Sequence, residues 1–526
     1  MTQFDRRTLL RRAGMLATAA IGVQLGAAAC GEGPSRRRPK LSGYPFRLGV
    51  ASGDPVSDGF VIWTRLAPDP FDPEALKDDT IDVQWEVASD AQFTAIVQKG
   101  YTQARAGLGH SARVELRGLQ PNRPYWYRFG LRGGDTSPVG RARTAPTVGS
   151  PLSAMKIAHC SCQHYEQGYF NAYDLMLTDQ PDLIVHLGDY IYESSWGKQA
   201  RRHEGPEPLS LADYRARHAL YKLDESLAAA HAACPWLLTW DDHEVDNDYA
   251  SLESEDYQKP EAFVARRAAA YQAYFENMPV RGVAYPRSAE TRLYQRSQFG
   301  DLVEIAMMDT RQYRSGQACR TPERGGAQVV PHETCSELFD PTRTILGRDQ
   351  ERWLTRGFGR STAKWNVLGS AQMISRLKQK TADGKDGSWT DDWNGYPESR
   401  KTLSEAIVKS KLSNPMILVG DFHSFWVNDF KADFNVGDSA TIATEIVGSS
   451  ISSAGPDFDT FTKMLPDNPH VKLFESRKRG YALNTITPKS WRIDLRTVAD
   501  VTTRSSKGET FASFVVEDGK PGAVKA

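Results

Sequence analysis

Residues 184–192 have the sequence Ile-Val-His-Leu-Gly-Asp-Tyr-Ile-Tyr. The apolar, branched run at its start is typical of a buried parallel strand in an α/β protein. In open α/β sheets, ligands bind beyond the carboxyl ends of the strands, where Asp189 would lie. Gly188 would allow a close backbone approach, and the Asp189 carboxylate is a hard oxygen ligand. The pattern alone leaves two interpretations open: a strand-end turn capped by aspartate, or a ligand.

The same pattern, an apolar strand followed by polar residues, occurs at four more places. The strands are residues 155–158, 236–240, 303–308 and 416–419. Residues 170–178 favour a helix between the first of these strands and 184–187, which predicts a β-α-β unit. Because the carboxyl ends of parallel strands meet at one edge of a sheet, we expect the polar clusters to converge there.

The polar clusters have the residue types of a two-metal site. They contain Cys162, Asp242, His243, Asp421 and His423. A two-metal hydrolase needs a bridging carboxylate and further oxygen or nitrogen ligands around metals about 3.5–4 Å apart. Each cluster taken alone could be a turn or a core histidine, but their recurrence favours one shared metal centre.

Three motifs carry a resemblance to a known family. They are Gly188-Asp189-Tyr190-Ile191-Tyr192-Glu193, Trp240-Asp241-Asp242-His243-Glu244-Val245 and Gly420-Asp421-Phe422-His423-Ser424. Together with residues 48–55, 63–65 and 444–453, they resemble the alkaline phosphatase D (PhoD-like) family of calcineurin-like metallophosphoesterases. The resemblance implies an α/β fold. It also implies an N-terminal fibronectin III-like β-sandwich, followed by a two-layered β-sandwich metallophosphoesterase core flanked by helices.

The resemblance further implies an enzyme that holds Fe³⁺ and Ca²⁺. The positions that match the family's metal ligands are Cys162, Asp189, Tyr192, Asp242, Asp421 and His423. Asp189 would bridge the metals; thiolate, phenolate and imidazole suit iron, whereas carboxylates suit calcium. Asp242 stands where the wider superfamily has an asparagine ligand and would hold calcium, while Asp421 could serve either metal.

His243 directly follows the expected calcium ligand and is the predicted catalytic residue. It would stabilise charge on the phosphate or protonate the leaving group. Asn247 is a further metal- or phosphate-binding candidate. Cys160 lies two residues before Cys162 and would share its face on a strand. A spare core thiol is the favoured interpretation of Cys160, and a zinc site formed by the two cysteines is the alternative.

Residues 43–147 have the pattern of a separate β domain. The strand-like runs, each bounded by turn residues, are 59–65, 81–88 and 113–116. Residues 119–128 add a turn and an aromatic-rich strand similar to those of fibronectin type III-like sandwiches. We expect the catalytic domain at 151–515. The last residues, 516–526, are polar and rich in Gly and Lys, which predicts a flexible tail.

Residues 1–30 indicate an export signal rather than part of the fold. Arg6-Arg7 opens a basic segment, and a modestly apolar run from Met15 to Ala29 follows. Together they predict a twin-arginine signal peptide, with the twin-arginine export machinery as a partner. The mature protein would be periplasmic, attached to the cell envelope or secreted.

The small residues before Cys30 favour cleavage at that point. The sequence does not decide whether Cys30 carries a lipid anchor, because Ala27 occupies the position at which lipidation signals usually have leucine. Residues 31–42, with Pro34 and three consecutive arginines, predict a linker.

Charge and cysteine content add two constraints. Lys and Arg total 65 and Asp and Glu total 65, so the net charge gives no signal for nucleic-acid binding. Disulfides are permitted outside the cytoplasm, and Cys319 and Cys335 bracket a loop rich in Gly, Pro and charge. They are the predicted disulfide, whereas Cys234 indicates a buried core thiol.

The predicted function is that of an exported alkaline phosphatase or phosphodiesterase. It would hydrolyse phosphate mono- or diesters by attack of a metal-bound hydroxide. A phospholipase D-like phosphodiesterase on the same site is the neighbouring alternative. A non-catalytic envelope binding protein is the alternative from another class. It is disfavoured because Asp189, Asp242, Asp421 and His423 are all present.

Overall fold

The computed structural model describes residues 41–77, 79–197 and 199–526. The predicted signal peptide, Cys30 and nearly all of the predicted linker therefore lie outside the described residues. Within them, no helix is both long enough and apolar enough to cross a membrane.

The N-terminal part is a β domain of two packed layers. Its strands are β1 (Val50–Val56), β2 (Gly59–Arg65), β3 (Ile81–Ala88), β4 (Ile96–Ala104), β5 (Ser111–Glu115), β6 (Pro124–Gly130) and β7 (Gly140–Arg143). Strands β1, β2 and β5 form one layer, and β4, β3, β6 and β7 form the other. Buried apolar side chains such as Phe60, Val83 and Tyr127 form its core. Tyr125 accepts a hydrogen bond from the backbone N–H of Gln120 (3.0 Å), a corner contact consistent with the predicted sandwich type.

The rest of the chain forms two further sheets, a small three-stranded sheet and the helices. The strands are β8 (Met155–Cys160), β9 (Leu183–Leu187), β10 (Trp236–Thr239), β11 (Gln295–Phe299), β12 (Val303–Met307), β13 (Val329–Pro331), β14 (Trp365–Ser370), β15 (Gln379–Lys380), β16 (Asp386–Trp389), β17 (Pro415–Val419), β18 (Phe425–Lys431), β19 (Thr441–Gly448), β20 (Val471–Glu475), β21 (Arg479–Ile486), β22 (Ser490–Val498), β23 (Gly508–Glu517) and β24 (Lys520–Lys525). The helices are α1 (Asn171–Asp179), α2 (Leu211–Lys222), α3 (Glu225–Ala233), α4 (Pro260–Asn277), α5 (Gly347–Phe358), α6 (Pro397–Ser410) and α7 (Phe458–Thr462).

The two large sheets pack face to face. One has the order β24-β23-β22-β21-β8-β9-β10, and the other has the order β11-β12-β14-β17-β19-β18-β20. Apolar side chains such as Val185, Val303 and Leu418 fill the space between them. Helices α1 to α4 share a core with the outer face of the first sheet, and α5 and α6 share one with the second. This arrangement confirms the predicted α/β fold with a two-layered sandwich flanked by helices.

The N-terminal domain continues the first sheet. Strand β1 runs parallel to β10 through the pair Gly53 and Trp236. A Cβ atom on Gly53 would lie 2.4 Å from the carbonyl oxygen of Pro279 and 2.9 Å from that of Trp236, so only glycine fits this close approach. The indole N–H of Trp63 donates to the carbonyl oxygen of Glu276 (2.7 Å). The two predicted domains therefore share a sheet and a polar contact.

The predicted flexible tail at 516–526 is wrong. Strand β24 pairs antiparallel with β23, and Ala523 is buried in the core between the two large sheets. The side chain of Lys472 donates to the carbonyl oxygen of Ala523 (2.7 Å). The apolar residues of this segment are small or isolated, so its sequence does not show the pattern of a strand. In the structure the strand alternates a buried Ala523 with an exposed Val524.

The remaining cysteines occupy two different settings. Cys319 and Cys335, the pair favoured by the sequence, form a disulfide that closes a loop with a sequence separation of 16. Cys160, Cys162 and Cys234 are buried free thiols.

Candidate metal centre

The predicted ligands lie where strands of both large sheets end. They are Cys162 after β8, Asp189 and Tyr192 after β9, Asp242 after β10, and Asp421 and His423 after β17. Left-handed backbone angles occur at Cys162 (φ 60°), Asp189 (φ 56°), Asp421 (φ 58°) and His423 (φ 48°). Non-glycine residues in this region cost about 1–3 kcal/mol each and concentrate at functional sites. The fold therefore holds these four side chains out of the regular strand direction.

Gly188 allows two of these strand ends to meet. Its φ is 100°, and a Cβ atom there would lie 2.6 Å from both the Cβ and the backbone nitrogen of Asp241. No other residue fits, which agrees with the close approach predicted from Gly188-Asp189. The turn after β9 consequently lies directly against the turn after β10.

The predicted iron ligands form one group. Cys162, Asp189 and His423 offer ligand atoms that all lie within 4.8 Å of one another. The hydroxyl of Tyr192 donates to Asp189 Oδ2 (2.9 Å) and lies 2.9 Å from His423 Nε2. His423 Nδ1 is 2.9 Å from the carbonyl oxygen of Ala454, which leaves Nε2 directed at the group. Thiol, phenol, imidazole and carboxylate thus converge on one point.

Carboxylates form the adjoining groups. Asp189 groups with Asp242 and His243, and again with Asp241 and Asp421, within the same 4.8 Å limit. Asp241 was not predicted as a site residue, although it lies inside the quoted motif. A further group joins Asp242 with Asp248 and Asp391, two residues outside the predicted set.

The donor set fits a pair of cations. Asp189 Oδ1 and Asp241 Oδ2 are buried and have no hydrogen-bond partner within the described part of the chain. Burial and the neighbouring carboxylates raise the pKa of Asp421 well above its usual range. Burial, with Asp189 nearby, likewise raises the pKa of the Cys162 thiol and of the Tyr192 phenol. Unpaired buried oxygens and crowded like charges are both relieved by a bound cation, which also deprotonates thiol and phenol ligands.

Glu244 ties the strand ends together. Its carboxylate accepts the backbone N–H groups of Asp189 (3.1 Å), Tyr190 (2.6 Å) and Asp241 (2.9 Å). These bonds fix the turns after β9 and β10 in one position. The motif that contains Glu244 does not predict this role, because two of its three partners are backbone groups 54 and 55 residues away in the chain.

His243 is held by Glu193. His243 Nδ1 lies 2.8 Å from Glu193 Oε2, and the backbone N–H of Asn247 donates to Glu193 Oε1 (3.1 Å). Burial opposes a charge on His243, but the carboxylates of Glu193, Asp242 and Asp189 raise its pKa well above the usual value. Sequence reasoning missed Glu193 as a partner of His243, and it found Asn247 without this backbone contact.

A buried arginine balances part of the negative charge. Arg311 Nε lies 2.5 Å from Asp241 Oδ1, and its two terminal nitrogens each lie 2.7 Å from an oxygen of Asp391. Arg311 Nη2 is also 3.4 Å from Asp242 Oδ2. Burial opposes the charge on Asp242, but Arg311 and His243 hold its pKa below the usual range.

Cys160 and Cys162 do not share a face, contrary to the expectation for two strand residues. Cys160 is the last residue of β8 and packs in the core with its sulfur 4.0 Å from the hydroxyl of Tyr173. Cys162 lies beyond the strand in a left-handed conformation, which turns its side chain toward Asp189. Within the described residues Cys160 joins no group of potential ligands, which leaves it a core thiol and disfavours the zinc alternative.

Comparison with known proteins identifies the family of this chain. The profile of the PhoD-like phosphatase family matches residues 157–495, and the profile of the PhoD-like phosphatase N-terminal domain matches residues 32–146. Alkaline phosphatase D of Bacillus subtilis (strain 168) is 42% identical over 533 residues, covering 99% of this chain and 89% of that protein. The solved structure of PhoD superposes with a TM-score of 0.87 at 43% identity, covering 93% of each chain.

The fold, the strand-end centre and these matches define a hydrolase of phosphoric ester bonds, with phosphate esters as its substrates. The chain belongs to the PhoD-like phosphatase family, as its three motifs predict.

Proposed function

We propose that the protein is an exported alkaline phosphatase or phosphodiesterase that holds Fe³⁺ and Ca²⁺ at the strand-end centre. The observation that carries the proposal is the position of Asp189, which belongs to three of the four groups of potential ligands in the described residues. One of its oxygens accepts from Tyr192, and the other has no protein partner there. A carboxylate that lies in several ligand groups and has one oxygen without a protein partner is suited to bridge two metals.

The two sides of the centre differ in chemistry. Cys162, Tyr192 and His423 would hold iron, since thiolate, phenolate and imidazole suit a transition metal. Asp242 would hold calcium, whose preferred ligands are oxygens, and Asp421 would serve either metal. When bound, the two ions would lower the pKa of a water molecule and so supply the hydroxide needed for direct hydrolysis without a covalent phospho-enzyme.

His243 would act on the ester itself. Glu193 engages its Nδ1, so Nε2 is the atom available to the phosphate. The surrounding carboxylates favour the protonated ring, which would stabilise charge on the phosphate or give a proton to the leaving oxygen. Asn247, beside this pair, would assist as a metal or phosphate ligand.

The decisive experiment is Asp189→Ala assayed on a phosphate monoester and on a diester. We expect both activities to fall by at least about 100-fold, with loss of bound iron measured on the purified protein, because a bridging ligand is removed. Asp349→Ala is the control and should keep full activity, since the Asp349 side chain on α5 is 89% exposed and belongs to none of the ligand groups found in the described residues. Full activity of Asp189→Ala would exclude the assignment.

The same assay compares the neighbouring functions. A wild-type preference for the monoester favours a phosphatase, whereas a preference for the diester favours a phosphodiesterase of the phospholipase D-like kind. The absence of turnover with full metal content would favour the non-catalytic binding protein.

The route of export has its own test. Replacing Arg6 and Arg7 by lysine should keep the protein in the cytoplasm if the twin-arginine machinery exports it. Cys30→Ser should release the exported protein from the membrane fraction if Cys30 carries a lipid. Export unchanged by the double substitution would exclude this route.

A further inference from the structure

An aromatic wall stands beside the metal centre. It is a column of rings formed by Trp196, His164, His203 and Tyr165, with centroids separated by 4.7 Å, 5.2 Å and 6.1 Å in that order. The guanidinium of Arg201 closes the column, 3.7 Å from the ring centroid of Tyr165. The inner histidines are buried, whereas the outermost ring, Trp196, is 46% exposed.

The loop that carries Trp196 is fixed by one buried carboxylate. Glu166 accepts the backbone N–H of Trp196 (2.8 Å), the hydroxyl of Ser195 (2.9 Å) and the backbone N–H of His203 (3.0 Å). Residues on both sides of the loop are therefore hydrogen-bonded to the same side chain. Together with the stacked rings behind it, this anchorage holds Trp196 in one orientation.

Trp196 lies next to an expected iron ligand, Tyr192, and the predicted catalytic residue, His243. Its ring centroid lies 6.0 Å from that of Tyr192 and 6.3 Å from that of His243. Its indole N–H already donates to the hydroxyl of Ser194 (3.1 Å), so the exposed remainder of the ring is apolar. An isolated exposed aromatic is common on protein surfaces. A rigidly anchored one beside a candidate proton donor points to contact with a ligand.

We propose that Trp196 is a specificity-determining residue that packs against the alcohol group of the ester. This rests on the proposed function, in which His243 gives a proton to the leaving oxygen, because the group bonded to that oxygen would then lie next to Trp196. The favoured substrates carry a flat, apolar alcohol group such as a phenyl ring, since stacking on tryptophan requires an exposed planar face.

The test compares phenyl phosphate with methyl phosphate for wild-type, Trp196→Ala and Trp196→Phe enzymes. With Trp196→Ala we expect kcat/KM for phenyl phosphate to fall about 5- to 100-fold, mainly through KM, and the value for methyl phosphate to stay within about twofold. Trp196→Phe should restore most of the loss. Leu209→Ala, an exposed apolar residue before α2, is the control and should change neither substrate.

Equal losses for both esters would mean that Trp196 only supports the loop, and unchanged values for both would mean that it touches no substrate. Either result overturns the inference. A readout without turnover separates it from the proposed function: binding of phenylphosphonate and methylphosphonate to the metal-loaded protein, measured by calorimetry. If the wild type prefers phenylphosphonate and Trp196→Ala does not, the result supports the role of Trp196 in specificity even if no ester is hydrolysed. No preference in the wild type overturns it.

Discussion

Substitution of Glu193 is the most direct test of the role of His243. Both of its oxygens accept hydrogen bonds, one from the His243 ring (2.8 Å) and one from the backbone N–H of Asn247 (3.1 Å). Glutamine has the same shape but only one acceptor oxygen. Glu193→Gln therefore turns an NH₂ group toward one of two buried donors and removes the negative charge beside the imidazole.

The magnitude follows from the bond that is lost. A hydrogen bond to a charged group contributes about 1.5–3 kcal/mol, and about 1.4 kcal/mol corresponds to a tenfold change in rate. We therefore expect kcat for an alkyl phosphate ester to fall about 10- to 100-fold, because its leaving oxygen needs a proton. A 4-nitrophenyl ester, whose leaving group departs without protonation, should lose much less.

The assay is steady-state kinetics on both esters, with metal content measured on the same preparations. Glu207→Gln is the control, because Glu207 pairs with Arg266 and its side chain is 47% exposed. Equal losses on the two esters would refute the reasoning, since Glu193 would then support the fold rather than the proton donor. An unchanged kcat on the alkyl ester would refute it as well.

Three further tests address the fold. Burial lowers the pKa of His186 to about 3, whereas the pKa of a histidine in the unfolded chain is about 6.5. The folded protein therefore loses stability as the pH falls below about 6.5. Urea titrations at about pH 7.5 and 5 should show that the unfolding free energy of the wild type falls by about 2 kcal/mol more than that of His186→Phe. Equal losses in the two proteins would contradict this. Ala523→Asp should cost about 3–5 kcal/mol because it buries an unpaired charge, whereas Val524→Asp, on the exposed face, should stay within about 0.5 kcal/mol. Similar melting shifts for the two would argue against a paired β24. Cys319→Ser should lower the unfolding free energy by about 3 kcal/mol by opening the loop, and reductant should abolish the difference from wild type.

The sequence was most informative where short-range pattern and strand order coincide. An apolar run that ends in Gly188-Asp189 predicts both a strand and the edge at which its ligand lies, because parallel strands place their carboxyl ends together. The structure brings Asp189, Asp242, Asp421 and His423 to that edge from two different sheets. Tyr192, assigned through the family resemblance, lies within hydrogen-bond distance of two of them.

Some contributions could not be predicted from local sequence patterns. Glu244 accepts the N–H of Asp189, 55 residues earlier in the chain, and nothing in the local sequence specifies such a bond. The separation of Cys160 from Cys162 depends on a left-handed residue just after β8, which period-two strand reasoning does not include. The strand at 520–525 escaped detection because its single inward residue is alanine, too small to produce an apolar signal.

The pairing of β1 with β10 has a consequence for anyone who wishes to work with the hydrolase part alone. Without the N-terminal domain, β10 would become an unpaired edge, ready to recruit a strand from another molecule. Asp241 and Asp242 follow directly after that edge strand, so self-association would begin next to two of the candidate metal ligands. A fragment that starts at residue 151 should therefore aggregate and bind metal poorly, whereas in the longer chain β1 covers this edge.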